Sequence, residues 1–218
     1  MTVYFISGQA ADETLFENLT LPSHLIIRHV HWIEPLKQET LSDYCKRLSR
    51  QIDTGNDFIL IGVSLGGIVS VELTKILHPK QTIILSSIAT KHELPPLMRL
   101  IRLFRIYKIV PASFYKWHSP ILDWFFGAEN NRERSLLQFY SRSTTKNYMR
   151  WAVNEILNWK NERRPTNLFH IHGTKDRIFP YKKTHADVLI KDGTHLMVHN
   201  RAKEISKILA KKINSIPS

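Results

Sequence analysis

A serine stands at the centre of a Gly-x-Ser-x-Gly motif, between an apolar run and a helix-compatible run. Residues 58–69 read FILIGVSLGGIV, which places Ser64 between Gly62 and Gly66. A serine at the tip of a sharp strand-to-helix turn has a strained backbone that only small neighbours tolerate. The turn presents the hydroxyl at the carboxyl edge of the sheet, beside the positive end of the helix dipole. The motif predicts a nucleophilic serine; the alternative is a tight turn in which Ser64 only caps the helix.

A serine hydroxyl is a weak nucleophile, so it needs a base, and the base needs an acid that orients it. Residues 167–180 read NLFHIHGTKDRIFP and present Asp176 after a strand-like run. Residues 191–197 read KDGTHLM and present His195 in a loop before the last helical pattern. The order Ser64, Asp176, His195 predicts acyl transfer to water, in which His195 takes the serine proton and Asp176 fixes the imidazole tautomer.

Other histidines compete with His195 for the role of base. His199 lies four residues further on and stays an alternative if the last helix starts early. His170 and His172 lie in a strand-like run, which favours packing or hydrogen-bonding roles. The pair His195 and His199 lacks the glutamate of the zinc-helix motif, and no cysteine-histidine cluster has metal-ligand spacing. The sequence therefore predicts neither a metal nor a cofactor.

Short runs rich in β-branched and aromatic residues predict the strands that position these side chains. They cover residues 3–7, 25–30, 58–63, 82–86 and 168–172, with a weaker sixth run at 187–190. Most are continuously apolar, as is typical of parallel strands with helices on both faces. Helical patterns lie between them, at residues 40–52, 66–77 and 198–213. This order predicts an α/β fold with a mostly parallel sheet of about six strands.

The alternation of strands and helices stops between residues 91 and 161, where helix-compatible segments rich in leucine and aromatic residues take over. We expect a helical cap or lid at 91–161, inserted into a core formed by 1–90 and 162–218. Its aromatic residues are candidates for an apolar pocket wall, and the alternative is that most of them pack the cap onto the core. These candidates are Phe104, Tyr107, Phe114, Tyr115, Trp117, Trp124, Phe125 and Phe126.

The segment 97–109 has basic residues at three-residue spacing among apolar ones. They are Arg99, Arg102, Arg105 and Lys108. A basic amphipathic helix of this kind is able to lie on an anionic membrane surface or to receive an acidic substrate group. A solvated face of the cap is the interpretation that the pattern favours.

The composition bounds the class of protein. The chain has 218 residues, 43% of them hydrophobic and 23% charged, which fits one globular domain and excludes collagen-like, disordered and repeat architectures. The net charge is +12, but the basic residues are scattered and no nucleic-acid-binding module surrounds them, so we expect no nucleic-acid partner. The single cysteine, Cys45, and a start that enters a strand-like run without a leader predict a cytoplasmic protein. No apolar stretch approaches the roughly 18 to 20 residues of a membrane span.

Taken together, the three blocks around Ser64, Asp176 and His195 resemble the α/β-hydrolase superfamily, and the resemblance covers nearly the whole chain. It implies that Ser64 is the nucleophile, that the His-Gly-x-x-Asp block supplies the acid Asp176, and that the Gly-x-His block supplies the base His195. The chain begins at what would be the family's third strand, and the stretch after Asp176 is too short for a full helix. The resemblance therefore implies a trimmed version of the fold.

The family also places an oxyanion hole at two backbone N–H groups. One belongs to the residue after the serine, here Leu65, and the other to the loop after the first strand of this chain. That loop, residues 6–12, reads ISGQAAD. Many members have His-Gly where this chain has Ser7-Gly8, so the resemblance implies Gln9 as the second donor, with Ala10 as the alternative.

The resemblance implies a serine hydrolase that acts on a small or medium carboxylic ester or thioester, with a small-molecule acyl compound as its partner. The superfamily also contains C–C bond hydrolases and members without catalysis. Two alternatives stay open, a non-catalytic ligand-binding protein on the same fold and a peripheral membrane lipase or thioesterase that uses the basic cap segment.

Overall fold

Six parallel strands form the central sheet, in the order β2-β1-β3-β4-β5-β6. The computed structural model describes residues 1–110 and 119–217. The strands are β1 (Thr2–Ile6), β2 (Ile26–Val30), β3 (Phe58–Val63), β4 (Gln81–Leu85), β5 (Leu168–Gly173) and β6 (Val188–Ile190). Each lies within one residue of a run that the sequence predicts, so the predicted sheet is confirmed.

The helices occupy both faces of the sheet and the long segment between β4 and β5. In the described residues they are α1 (Leu41–Leu48), α2 (Leu65–Leu77), α3 (Pro96–Leu103), α4 (Ile106–Ile109), α5 (Pro120–Phe126), α6 (Asn131–Ser143), α7 (Lys146–Asn158), α8 (Met197–Asn200) and α9 (Ala202–Asn214). None of these helices is long and apolar enough to cross a bilayer.

Two helix predictions need correction. The predicted helix at 198–213 is two helices, α8 and α9, because the backbone at Arg201 leaves the helical region with φ −118° and ψ 23°. The predicted helix at 40–52 is α-helical only as far as Leu48, and Ser49–Gln51 form a tighter 3₁₀ turn. Its start is fixed by Thr40, whose side chain accepts a hydrogen bond from the amide of Asp43.

Apolar side chains alternate between the two faces of the sheet and form two separate layers of core. Tyr4 and Leu60 lie in the layer that α1, α2 and α7 cover. Phe5 and Ile61 lie in the layer that α9 covers. Because both faces are buried, the central strands are apolar at nearly every position, which is why the sequence pattern identifies them so clearly.

The segment between β4 and β5 is helical, as predicted, and its last helix, α7, is anchored to the core. The indole N–H of Trp151 donates to the backbone oxygen of Glu39 at 2.8 Å, just before α1. That of Trp159 donates to Oε1 of Glu72 on α2 at 2.7 Å. Three of the predicted pocket-wall aromatics, Phe114, Tyr115 and Trp117, lie outside the described residues.

The strand order creates a crevice at the carboxyl edge of the sheet. From β1 the chain passes to β2 on one side, whereas β3 lies on the other side of β1 and pairs Gly62 with Ile6. The loops after β1 and β3 therefore diverge at the point where the strand order reverses. Open α/β sheets bind ligands at such a switch point. Ser64, directly after β3, and Gly8, in the loop after β1, both lie there.

Candidate active site

Ser64 occupies a strained turn between β3 and α2. Its φ of 53° and ψ of −118° lie in a region that residues with a Cβ rarely adopt. The turn is held on both sides of the Ser64 Cα: the Ser64 amide donates to the oxygen of Leu85 at 3.0 Å, and the Ser87 hydroxyl donates to the oxygen of Ser64 at 2.6 Å. The sharp turn that the motif predicts is therefore present.

The two glycines of the motif are required by close backbone packing. A Cβ at Gly66 would overlap the backbone oxygens of Ile6 and Ser7, because α2 begins against the end of β1. A Cβ at Gly62 would overlap the carbonyl of Gly66 and the hydroxyl of Ser70. Larger residues at either position would push the start of α2 away from the sheet and move Ser64 with it.

The loops after β3, β5 and β6 bring Ser64, Asp176 and His195 into one hydrogen-bonded chain. Nε2 of His195 lies 2.9 Å from Oγ of Ser64, and Nδ1 of His195 lies 2.8 Å from Oδ2 of Asp176. The other oxygen, Oδ1 of Asp176, accepts the amides of Ile178 and Phe179 at 2.9 Å each. With Asp176 ionised, His195 donates from Nδ1, which leaves Nε2 free to accept the serine proton.

Two further histidines lie beneath this chain and are fully buried. Nε2 of His172 donates to the oxygen of Phe179 at 2.7 Å, because a carbonyl can only accept, and Nδ1 of His172 then accepts from Nε2 of His170 at 3.0 Å. Burial lowers the pKa of both imidazoles, that of His170 the more strongly, which favours the neutral form. Nε2 of His172 also lies 3.5 Å from Oδ2 of Asp176. The predicted packing and hydrogen-bonding roles are confirmed.

His199, the alternative base, faces away from Ser64. It lies on α8, with Nε2 3.6 Å from Oε1 of Glu17 and Nδ1 4.0 Å from Oε1 of Glu133. The last helical segment starts early, as that alternative requires, but its first turn directs His199 towards these carboxylates. His195 is thus the histidine that the structure places against the serine hydroxyl.

The loop after β1 is held in place by a tryptophan that no sequence motif identifies. The indole N–H of Trp32 donates to the hydroxyl of Ser7 at 2.9 Å and to the oxygen of Gly8 at 3.2 Å. The Ser7 hydroxyl in turn donates to the oxygen of Ala11 at 2.6 Å. Trp32 follows β2 and lies far from every motif along the chain, so only the tertiary structure identifies its role.

Two backbone amides near Ser64 are available to a ligand. The amide of Leu65 is in the first turn of α2, where N–H groups have no partner inside the helix. The amide of Gln9 is paired with no acceptor in the described residues, and its side-chain amide donates to Sδ of Met149 at 3.4 Å. The Ala10 amide lies beside the hydroxyl of Tyr148 but forms no hydrogen bond with it, and burial raises the pKa of that hydroxyl well above its usual value.

A cavity of about 280 Å³ lies over the serine, with Ser64 and His195 among its lining residues. Apolar side chains predominate in its wall, and the helices between β4 and β5 contribute seven aliphatic or thioether ones: Met98, Leu122, Leu137, Met149, Val153, Ile156 and Leu157. Such a surface accepts an uncharged hydrocarbon group more readily than a charged one.

Of the described aromatic candidates for the wall, Phe126 alone lines this cavity, with its ring centroid 5.3 Å from that of His195. Phe104 follows the end of α3 and is mostly exposed, as is Trp124 on the outer face of α5. Tyr107 is buried elsewhere, and Phe125 does not reach the cavity. These four candidates therefore lie outside the cavity wall, to which the same helices contribute mainly aliphatic and thioether side chains.

Cavity size alone would not locate this site. A larger cavity of about 1230 Å³ lies between α2, α7 and the segment before β5, with Glu72, Lys75 and Arg164 among its lining residues, and it contains neither Ser64 nor His195. Within residues 1–110 and 119–217, no group of three His, Cys, Asp or Glu side chains is arranged to hold a metal ion. The hydrogen-bonded pair Ser64 and His195 lies in the smaller, apolar cavity.

No protein-family model matches the chain, and no curated protein matches it. Solved structures match it over almost its whole length. An esterase from Thermogutta terrifontis is 12% identical with a TM-score of 0.65, covering 100% of this chain and 91% of its own. The RedJ thioesterase of the prodiginine pathway of Streptomyces coelicolor is 12% identical with a TM-score of 0.66, covering 97% and 90%. The N-acyl homoserine lactonase AidH is 15% identical with a TM-score of 0.68, covering 100% and 90%.

These likenesses concern architecture, since the identities are low. Combined with the six-stranded parallel sheet and the strand-turn-helix at Ser64, they define the class: the protein has the α/β-hydrolase fold. The fold that the sequence motifs imply is thus confirmed.

Proposed function

We propose that the protein is a serine hydrolase that cleaves a small or medium carboxylic ester or thioester through an acyl-enzyme on Ser64. The observation that carries the proposal is the continuous hydrogen-bonded chain from Ser64 through His195 to Asp176, with distances of 2.9 and 2.8 Å, at the base of an apolar cavity. Structural neighbours that include an esterase, a thioesterase and a lactonase support the same chemistry.

In the proposed reaction, Oγ of Ser64 attacks the carbonyl carbon of the substrate while Nε2 of His195 takes its proton. Asp176 remains ionised and stabilises the imidazolium that forms. His195 then protonates the leaving alcohol or thiol as the tetrahedral intermediate collapses to the acyl-enzyme. A water molecule, deprotonated by His195, releases the carboxylic acid in the same way and restores Ser64.

The amides of Leu65 and Gln9 are the proposed donors to the oxyanion. Each donor of this kind typically contributes about 10²- to 10³-fold in rate, because its dipole is oriented before the charge develops. The Trp32 hydrogen bonds to Ser7 and Gly8 support this role, since they fix the loop that carries the Gln9 amide.

The helices between β4 and β5 are the proposed cap that selects the acyl group. Four of them, α3, α5, α6 and α7, contribute side chains to the wall of the cavity. Its volume of about 280 Å³ is just below the roughly 300 to 1,000 Å³ usual for sites of drug-sized ligands. A small or medium acyl chain fits this space, and its alkyl part would displace water from an apolar surface.

Cys45 has no part in this chemistry. It is buried in the core layer under α1, and burial raises the pKa of its thiol well above the usual value, so the reactive thiolate is disfavoured. A chain with one buried cysteine does not require an oxidising compartment, which supports the proposed cytoplasmic location.

The direct test is hydrolysis of a series of p-nitrophenyl esters and acyl thioesters of increasing chain length by wild type and Ser64→Ala. We expect the variant to lose at least about 10³-fold in kcat. Ser143→Ala, which removes an exposed hydroxyl that donates to the oxygen of Phe139, is the matched control and should retain wild-type rates. Equal rates for Ser64→Ala and wild type would contradict the proposal, and stoichiometric binding without turnover would favour a ligand-binding protein on this fold.

A further inference from the structure

Large apolar side chains are unusually exposed on the segment that follows β4. Eight of the fifteen exposed large apolar side chains in the described residues lie between positions 97 and 124, with 41% to 80% of their surface exposed. Six of them belong to α3, α4 and the turn between these helices. We call the following residues the basic apolar face: Leu97, Leu100, Leu103, Phe104, Ile106 and Ile109, with the cations Arg102, Arg105 and Lys108.

Helix α3 is apolar on both its inner and its outer side. Met98 lines the cavity over Ser64, whereas Leu97 and Leu100 on the outer side are at least half exposed. A surface helix ordinarily has one apolar stripe and a polar opposite face. An exposed apolar patch rimmed by polar residues marks an interaction site. The outer side of α3 is therefore unexplained by packing within the described structure.

Helix α5 repeats this arrangement. Leu122 and Phe126 line the same cavity, while Ile121 and Trp124 point outward and are more than half exposed. The guanidinium of Arg177 lies 4.3 Å from the centre of the Trp124 ring and donates to its backbone oxygen at 2.7 Å, which adds a cation beside this apolar pair. Two helices that bound the cavity thus present apolar residues with cations on the opposite side.

The charge of this segment has one sign. Residues 94–122 contain no aspartate or glutamate. Arg99 is engaged locally, since it donates to the backbone oxygens of Leu94 and His92. No carboxylate in the described residues pairs with Arg102, Arg105 or Lys108. These cations are therefore available to an anionic partner.

Shape and charge distinguish between possible partners. A second copy of the chain, docked through the same surface, would bring like charges together without acids to pair them. Apolar side chains that expose half or more of their surface protrude, as insertion into a lipid interface requires, instead of lining a groove for a peptide. An anionic bilayer supplies headgroups for the cations and an acyl boundary for the apolar side chains at the same depth.

We propose that the basic apolar face docks the protein on an anionic lipid surface. Leu100, Phe104 and their apolar neighbours enter the headgroup boundary, and Arg102, Arg105 and Lys108 contact lipid phosphates while their alkyl stems follow the apolar layer. Since Met98 of the same helix lines the cavity over Ser64, docking leaves about one helix diameter, roughly 10 Å, between that wall of the cavity and the lipid. The proposal concerns binding and does not depend on hydrolysis.

The test is co-sedimentation of the full chain with vesicles of phosphatidylcholine alone or of phosphatidylcholine and phosphatidylglycerol in equal amounts. We expect binding to the mixed vesicles, weakened by salt, and little binding to phosphatidylcholine alone. Arg102→Ala/Arg105→Ala should weaken binding about 30-fold, because each cation near an anionic membrane surface usually strengthens binding about fivefold. Leu100→Ser/Phe104→Ser should weaken it at least about tenfold through lost apolar insertion.

The matched control is Lys207→Ala/Lys211→Ala, which removes the same charge from the exposed side of α9. Binding retained by this variant, together with losses in both variants of the basic apolar face, would support the proposal. Equal weakening by the α9 variant would assign the attraction to net charge and overturn it. Failure to sediment with mixed vesicles at low salt would also overturn the proposal. Tighter binding to polyglutamate than to vesicles would overturn it too, because the face would then fit an acidic polypeptide.

Discussion

Replacing Asp176 with asparagine tests how the imidazole of His195 is held. Oδ1 of Asp176 accepts two backbone amides, from Ile178 and Phe179, so the amide oxygen of the asparagine must take that position. The NH₂ group then takes the position of Oδ2, 2.8 Å from Nδ1 of His195. Because NH₂ only donates, Nδ1 must accept, and the single imidazole proton moves to Nε2, which faces Ser64.

An imidazole protonated at Nε2 is unable to take the serine proton, so the variant should lose activity in the chemical step, which kcat reports. The same exchange of tautomer costs about 10⁴-fold in kcat in the well-studied serine protease case, which corresponds to about 5.5 kcal/mol of transition-state stabilisation. Asp176 does not line the cavity, so we expect KM to change little. The two backbone hydrogen bonds to Oδ1 are retained, so the variant should fold.

The assay is steady-state hydrolysis of p-nitrophenyl butyrate, with thermal unfolding followed by circular dichroism to confirm the fold. Asp192→Asn is the matched control, because Asp192 lies three residues before His195 but its side chain is about half exposed and is paired with Lys175 at 3.0 Å. It should keep wild-type kcat. A folded Asp176→Asn protein with kcat within about tenfold of wild type would refute the tautomer argument.

Four further changes follow from the same geometry. Gly66→Ala should lower the free energy of unfolding in urea by about 3 kcal/mol, because its Cβ would overlap backbone oxygens at the end of β1. Trp32→Phe should lower kcat about tenfold, since the loop after β1 loses the indole donor, with KM for butyrate esters little changed. Met149→Trp should shorten the longest ester hydrolysed by filling part of the cavity, as a chain-length series would report. Burial lowers the pKa of His170 and His172, so the unfolded chain binds protons that the folded chain does not, and the free energy of unfolding should fall as the pH drops below about 6.5.

Each of these four expectations has an outcome that contradicts it. Gly8→Ala is the control for Gly66→Ala, because its Cβ would lie 3.6 Å from Cβ of Ser64, which is an ordinary contact. Equal destabilisation by the two glycine variants would disprove the overlap argument. Unchanged kcat in Trp32→Phe would separate that loop from catalysis. An unchanged chain-length limit in Met149→Trp would place the acyl group elsewhere, and unfolding free energies independent of pH between about 5.5 and 7.5 would contradict the neutral buried histidines.

The sheet and the sharp turn at Ser64 were predictable because their sequence signals are local. Strands such as β3 are apolar at successive positions since both faces of the sheet are covered, and the motif at Ser64 carries its own strand, glycines and helix. Asp176 and His195 were predictable from the order of loops along the chain. Their hydrogen bonds depend on the parallel sheet, which brings the ends of β3, β5 and β6 to one edge.

The cavity wall and the Trp32 contacts were not predictable, because both depend on tertiary packing. Composition identifies the apolar residues of α3, but packing decides that Met98 faces the cavity while Phe104 faces outward. Trp32 is joined to the loop after β1 by hydrogen bonds across neighbouring strands, with no motif around it. The helix is interrupted at Arg201, where the sequence has no glycine or proline, so local propensity favoured one continuous helix.

Labelling with a fluorophosphonate probe tests the central claim most directly, because it reports an activated serine without knowledge of the substrate. The purified wild type, Ser64→Ala and His195→Ala are each treated with the probe, and the modified peptide is identified by mass spectrometry. The account predicts one adduct, on Ser64, that is lost in both variants. A folded wild-type protein that takes no label, or that is labelled on a residue other than Ser64, would contradict it.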